Sequence, residues 1–335
     1  MNIIVAGGLG FIGSHLVDLL ISEGHNVIIV DNLTTNVIDY KKGCYTIFKS
    51  VNEAIRSFPS YVSVVFHLAS IVGPVGVLGH AGSIGLLTVN DVAMLRDFCI
   101  DYNSLFVYVS TSEIYGHTQI LHEDAKKVCS KYEVRTEYGV SKLLSEIMIV
   151  NKSKIEDRLK YHIIRPFNIA GPRQQPDGGF VLPRFVIAAL TGQSLTVFGD
   201  GTQRRSFTDV RDVCEAIVEI AFSDFKNEIW NIGNENNETS INLLAQYVIE
   251  EVKKRYPNKD FGVINVDPKK IHGSLFSEVG DKLPYVWKTK RFLGWKAKIS
   301  LKQTISDVVD FYDEKIKNGY SFDIGIKDAK KIEKS

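Results

Sequence analysis

Cysteine is scarce in this chain: four residues in 335, at positions 44, 99, 129 and 214. They lie far apart and form no Cys-x-x-Cys pair, which excludes zinc-ribbon spacing and a disulfide framework. Long apolar runs are also missing, so no segment approaches the roughly 20 residues needed to cross a bilayer as a helix. Neither sign of charge is in excess. Forty Lys and Arg against 39 Asp and Glu leave a formal net charge of +1, whereas non-specific nucleic-acid or membrane-surface binders carry a basic surplus. The expectations are therefore no nucleic-acid partner, no membrane, no metal site, and idle thiols in a reducing cytoplasm. No secretory leader pattern precedes the strand-like Ile3 to Ala6.

The hydrophobic fraction of 44% is ordinary for a folded protein with a sizeable core. The length suits one large α/β unit or two lobes sharing a cleft. Short apolar runs at Ile3–Ala6, Val27–Val30, Val62–Leu68, Leu105–Ser110 and Tyr161–Arg165 read as strands. They alternate with helical patterns at Phe11–Ser22, Asn52–Phe58, Leu87–Tyr102 and Tyr138–Asn151. All-apolar strands alternating with helices predict a parallel sheet covered on both faces, a Rossmann-type doubly wound fold. After Arg165 the pattern changes to a loop punctuated by Pro166, Gly171, Pro172, Pro176, Gly178 and Gly179. A helix (Phe180–Thr191), a strand (Leu195–Phe198), a Gly-Asp-Gly turn at 199–201, and helices at Asn242–Arg255 and Leu301–Lys317 follow. The expected division is a dinucleotide-binding domain over 1–165 and a smaller substrate-binding lobe over 166–320. A stretch near 207–232, with strand-like Ile229–Ile232, returns to the sheet, and 321–335 forms a charged tail.

Gly7, Gly10 and Gly13 stand as Gly-x-x-Gly-x-x-Gly between the first strand and the first helix. Such a loop lets a pyrophosphate approach the backbone closely and meet the unpaired N–H groups of the helix start, here Phe11, Ile12 and Gly13. Asp31 ends the next strand, followed by Asn32. Its carboxylate can accept both ribose hydroxyls and would repel a 2′-phosphate, so NAD is favoured over NADP.

Tyr138-Gly139-Val140-Ser141-Lys142 places a phenol and an ammonium four residues apart, on one helix face. A nearby ammonium favours phenolate, so a lowered phenol pKa is expected, with the lysine also reaching the nicotinamide ribose. Ser110-Thr111-Ser112-Glu113-Ile114-Tyr115-Gly116 follows an apolar strand, where a doubly wound sheet binds ligands. Thr111 can hydrogen-bond a substrate oxygen there, and Glu113 adds a carboxylate beside it.

Taken together, the glycine loop, His67-Leu68-Ala69-Ser70, the 110–116 run and Tyr138–Lys142 resemble an extended short-chain dehydrogenase/reductase. The likeness is to the NAD-dependent nucleotide-sugar epimerase/dehydratase family. Arg165-Pro166-Phe167-Asn168, Gly171-Pro172-Arg173-Gln174 and the run from Val197 to Phe207 extend the likeness from Met1 to about Tyr312. The resemblance implies Thr111, Tyr138 and Lys142 as the hydroxyl–tyrosine–lysine trio, with Leu68, Ala69 and Ser70 against the cofactor. It implies Asn168, Arg173, Phe198 and Arg205 as substrate contacts, a nucleotide sugar (a UDP-sugar favoured) as substrate, and a homodimer built on helices 87–102 and 138–151.

Family chemistry passes through a transient 4-keto sugar. That intermediate leads to decarboxylation of a uronate, elimination of water, or inversion at C4. The Thr-Ser-Glu triplet resembles UDP-glucuronate decarboxylases and also GDP-mannose dehydratases. Pro166 with Phe167-Asn168 and the run Asn231-Ile232-Gly233-Asn234 favour the decarboxylase branch over 4-epimerase and 4,6-dehydratase. A non-catalytic NAD-binding regulator on the same fold is the reading from another class. Two features depart from the family pattern. The stretch from Asp31 to His67 is short and lacks an Asp-Ile or Asp-Leu pair for the adenine, leaving Lys49-Ser50 or Asn52 there. The Gly-rich loop 72–80 lacks the Tyr-x-x-x-Pro of decarboxylases.

Overall fold

A computed structural model describes residues 1–39, 41–116, 118, 121–125, 127, 132–276 and 280–324. Cys129 and most of the charged C-terminal tail lie outside the described residues. Seven parallel strands form the central sheet: β1 (Asn2–Ala6), β2 (Asn26–Val30), β3 (Tyr45–Ile47), β4 (Val64–His67), β5 (Leu105–Val109), β6 (Lys160–Pro166) and β7 (Glu228–Ile232). Their order is β7-β6-β5-β4-β1-β2-β3. Ile3, Ile4, Val5 and Ala6 are all fully buried. A strand apolar on both faces needs cover on both faces, and the helices supply it.

Helix α1 (Phe11–Ser22) turns Leu16, Val17 and Leu20 into the core. It ends as the sequence predicts: Gly24 takes φ +81°, its N–H reaches Ile21 O at 2.9 Å, and His25 N reaches Leu20 O at 3.0 Å. That pair closes the last carbonyls, and glycine has no Cβ to oppose the left-handed turn. Helices α2 (Val51–Ala54, extended by one tighter turn), α3 (Ile84–Asp101) and α4 (Val134–Ser153) cover one face around Phe58, Leu95, Phe106 and Ile149. α1 and α6 (Val210–Ala221) cover the other, around Leu16, Val213, Ile217 and Trp230. A third core in the second lobe packs α5 (Val181–Leu190), α7 (Ile241–Arg255) and α8 (Leu301–Lys317).

β3 and α6 are among the elements that go beyond the sequence reading. β3 is a three-residue edge strand, too short for any periodicity to show. α6 carries Val210, Val213, Cys214, Ile217 and Ala221 at helical spacing behind Asp209, whose side chain caps Arg211 N. Among the described residues, no helix is long and apolar enough to cross a membrane.

Candidate active site

A cleft of about 920 Å³ opens at the carboxyl ends of β1, β2, β4 and β5 and is walled on its far side by the second lobe. This is where an open parallel sheet presents its strand-end loops to ligands.

One end is built from the glycine loop. Gly7 has φ +82°, and a Cβ there would lie 2.6 Å from Ala69 N. A Cβ on Gly13 would lie 1.9 Å from Gly7 O, so no side chain fits at either place. Gly10 differs, because its nearest neighbour would stand at an ordinary 3.4 Å. Its missing side chain leaves room toward the cleft. The start of α1 has no side-chain cap and no acidic residue in its first turn. Its amides at Phe11, Ile12 and Gly13 and the positive end of its dipole therefore suit an anion.

Asp31, at the end of β2, accepts from Leu9 N at 3.0 Å and Leu33 N at 2.9 Å, one bond on each oxygen. A carboxylate oxygen has a further lone pair, so both can still take a hydroxyl. Asn32 beside it accepts from Thr34 N. Lys49, Ser50, Val51 and Asn52 continue this wall, but the Ser50 hydroxyl is committed to Glu53 at 2.7 Å. Opposite, Leu68 and Ala69 both donate to Ala6 O, at 2.8 and 2.9 Å, bringing Ser70 to the cleft. A cradle without side chains, an uncapped helix start and a ribose-sized carboxylate fit NAD.

The chemical end joins β5 to α4. Tyr138 is hydrogen-bonded to the Thr111 and Ser70 hydroxyls. One turn later, Lys142 donates to Val109 O at 3.0 Å and lies over the Tyr108 ring. The expected lowering of the phenol pKa is not what the structure gives. Burial, then the charge of Glu113, push Tyr138 well above its ordinary value, against the hydrogen bonds from Thr111 and Ser70. Lys142 is itself pushed down to about 7 by burial, with Glu146 and Asp91 partly opposing. The reason is enclosure: both groups sit under α3 and the loop after β4, where charge is poorly solvated.

Glu113 occupies an unexpected position. Arg135 donates to it twice, at 2.7 Å each, and Lys282 donates at 2.5 Å. Burial would raise this carboxyl, but the charges of Lys282 and Arg135 hold it well below the usual carboxylate range. Arg135 lies one turn before Tyr138 on α4, an i,i+3 relation readable in the sequence. Lys282 comes from a loop 169 residues away in sequence, and no local pattern marks it. Asp91, on α3, is a further cleft-lining carboxylate, raised to about 6 by burial against the charge of Lys142.

At the far end, Asn168 and Arg205 line the cleft, as does Phe198. Asn168 takes φ +41° and donates to Ser206 O and Lys282 O. Arg205 donates to Arg204 O and Gly280 O. Phe198 carries the Arg184 guanidinium 4.2 Å from its ring centre. Arg173 is the exception among the expected substrate contacts. It turns back to α1, where it pairs with Asp18 at 2.8 Å, and the cleft wall is continued by Gln174 and Gln175 instead. Its φ of +68° after Pro172 aims the side chain that way.

The sequence model of the NAD dependent epimerase/dehydratase family matches residues 3–233. The chain belongs to that family. It is 31% identical over 327 residues to a UDP-N-acetyl-alpha-D-glucosaminuronate decarboxylase of Bacillus cytotoxicus, covering 93% of this chain and 97% of that one. It is 35% identical over 329 residues to a putative UDP-glucose 4-epimerase of Methanocaldococcus jannaschii, covering 92% and 97%. Among solved structures, the UDP-glucose 4-epimerase of Thermotoga maritima with UDP-glucose superposes with a TM-score of 0.81 at 28% identity, over 94% of this chain and 100% of that one. As a member of the epimerase/dehydratase family, the chain is an NAD-dependent enzyme acting on nucleotide sugars.

Proposed function

We propose that this enzyme decarboxylates a UDP-linked uronic sugar, UDP-glucuronate or its 2-acetamido counterpart, after transient oxidation at C4. The observation that carries the reading is the clamp on Glu113. Of the three fates of a 4-keto sugar, elimination of water needs a base for the C5 proton. A carboxylate held by two cations is a poor base, because taking a proton would cost it both charge-assisted partners. Inversion at C4 needs a sugar that turns over in the site. Two cations against one anion leave a positive excess beside Thr111 and Tyr138 that attracts and anchors a C6 carboxylate instead.

NAD, when bound along the glycine loop, Asp31 and Leu68–Ser70, supplies the hydride acceptor and returns the hydride. As phenolate, the form that Lys142 and the positive charge of bound oxidised NAD would favour, Tyr138 takes the proton of the 4-hydroxyl, and Thr111 orients that oxygen. Once C4 is a ketone, the bond from C5 to the carboxylate carbon breaks. Its electron pair becomes the C4–C5 enolate, and CO2 leaves. A phenol kept neutral by burial is then the donor the enolate oxygen needs. C5 takes a proton from solvent, and Tyr138 gives its proton back to the C4 oxygen as the pentose forms. Asn168, Phe198 and Arg205 are assigned to the nucleotide diphosphate, where arginine suits phosphate and phenylalanine a base. Arg173 is not.

Purified enzyme incubated with UDP-glucuronate, UDP-N-acetylglucosaminuronate, UDP-glucose, UDP-N-acetylglucosamine and GDP-mannose tests this, with products read by mass and NMR. Loss of 44 mass units (CO2) from a uronate alone supports the reading. A product of unchanged mass inverted at C4, or loss of water, replaces it.

We further infer a cytoplasmic homodimer. Leu86 and Leu87 on α3, with Val140, Leu144 and Ile147 on α4, leave an exposed apolar face on this helix pair.

A further inference from the structure

Lys282 carries one of the least exposed ammonium groups among the described residues, its side chain 5% accessible. Its backbone is fixed from the substrate lobe on three sides. Lys282 N donates to Arg204 O at 3.2 Å, and its carbonyl accepts from Asn168 Nδ2 at 2.9 Å. It also pairs with Arg205 in a single β-bridge. The side chain leaves this anchorage to meet Glu113 at 2.5 Å, beside Thr111 and Tyr138 on the sheet lobe. A buried ammonium requires an anion, and a carboxylate that must serve it cannot swing away.

We propose that Lys282 is a positioning residue of the reaction: from the substrate lobe it holds Glu113 parked against Arg135, so that the C5 proton of the 4-keto sugar is not removed. Arg135 meets both oxygens through one bidentate pair, Nε to Oε2 and Nη2 to Oε1. The lysine adds a second cation on Oε1, so that this oxygen carries two charge-assisted bonds at once. The proposal rests on the decarboxylase reading for its substrate, while the residue's role is read separately, by isotope.

The test is turnover in D2O of whichever UDP-uronate is consumed, with the deuterium at C5 of the pentose counted by NMR and mass. Wild type places one deuterium there, from protonation of the enolate. In Lys282→Met, Glu113 regains basicity and exchanges the C5 proton before CO2 leaves. The doubly labelled fraction then rises by about tenfold or more, the factor one charge-assisted hydrogen bond is worth. Adding Glu113→Gln to that variant removes the second deuterium, and Lys282→Arg keeps the wild-type count.

Singly labelled product from Lys282→Met overturns the proposal. So does a second deuterium that persists in the double variant, or lost turnover that neither Lys282→Arg nor added Glu113→Gln restores. If a neutral UDP-hexose is the substrate, the decarboxylase reading fails but this one is still decided. Deuterium then appears at C5 of the 4-epimer in Lys282→Met and is absent from wild type, or the proposal falls.

Discussion

Glu146→Gln perturbs both the frame of the molecule and its chemistry. Arg165 and Glu146 are 2% and 3% exposed, and they pair through Arg165 Nη2 at 2.6 Å and Nε at 3.0 Å. Gln keeps the volume and one acceptor for the Ser110 hydroxyl, so no cavity opens. The guanidinium is left with the Tyr115 hydroxyl at 3.0 Å and Glu123 O at 2.9 Å, both neutral acceptors. Removing one partner of a buried ion pair costs about 3–5 kcal/mol. An unfolding entropy of about 2.1 cal/mol/K per residue turns that into a fall in Tm of about 4–7 °C for this chain.

The same charge acts on Lys142, whose pKa burial lowers to about 7 and Glu146 partly restores. Without it, the ammonium is lost at a lower pH. The alkaline limb of the activity profile, where Lys142 deprotonates, therefore moves toward acid. Denaturant unfolding and a pH–rate profile read the two effects. A destabilisation under about 1 kcal/mol, the range of a solvent-exposed pair, with an unmoved alkaline limb would mean that Glu146 neither anchors Arg165 nor acts on Lys142.

Three further outcomes are expected. Tyr138→Phe lowers kcat by about 10²–10⁴, the range for a positioned acid–base group, with substrate affinity by calorimetry retained; undiminished kcat removes the assignment. Asp31→Asn weakens NAD about tenfold or more, by the worth of a hydrogen bond to a charged group, and narrows the preference over NADP in a fluorescence titration. Leu144→Asp with Ile147→Asp on α4 yields a monomer by sedimentation, whereas a wild type that is itself monomeric ends the dimer inference.

Much of the architecture was legible because its signals are local. A strand buried on both faces must be apolar throughout, so β1 and β2 announce themselves. Gly24 marks the end of α1. α6 was not read, although it carries its own periodic pattern and Asp cap. The glycine loop, Asp31 and the Tyr138–Lys142 spacing were readable for the same reason, since each is a constraint between near neighbours. What stayed hidden depends on contacts distant in sequence. Lys282 reaches Glu113 only through the fold, and Arg173 turns to Asp18 rather than to the cleft. The phenol was expected to feel an ammonium, but enclosure, which no sequence pattern reports, sets the direction of its shift.

In the proposed reaction C4 is oxidised and restored within one enclosed site while C6 leaves as CO2. UDP-glucuronate, or its 2-acetamido counterpart, bearing deuterium at C4 tests it in one NMR experiment. The expected product is a UDP-pentose that keeps the deuterium on C4, formed with one equivalent of CO2 and no net NADH. Deuterium lost from C4, NADH accumulating with each turnover, or a six-carbon product would rule this reaction out.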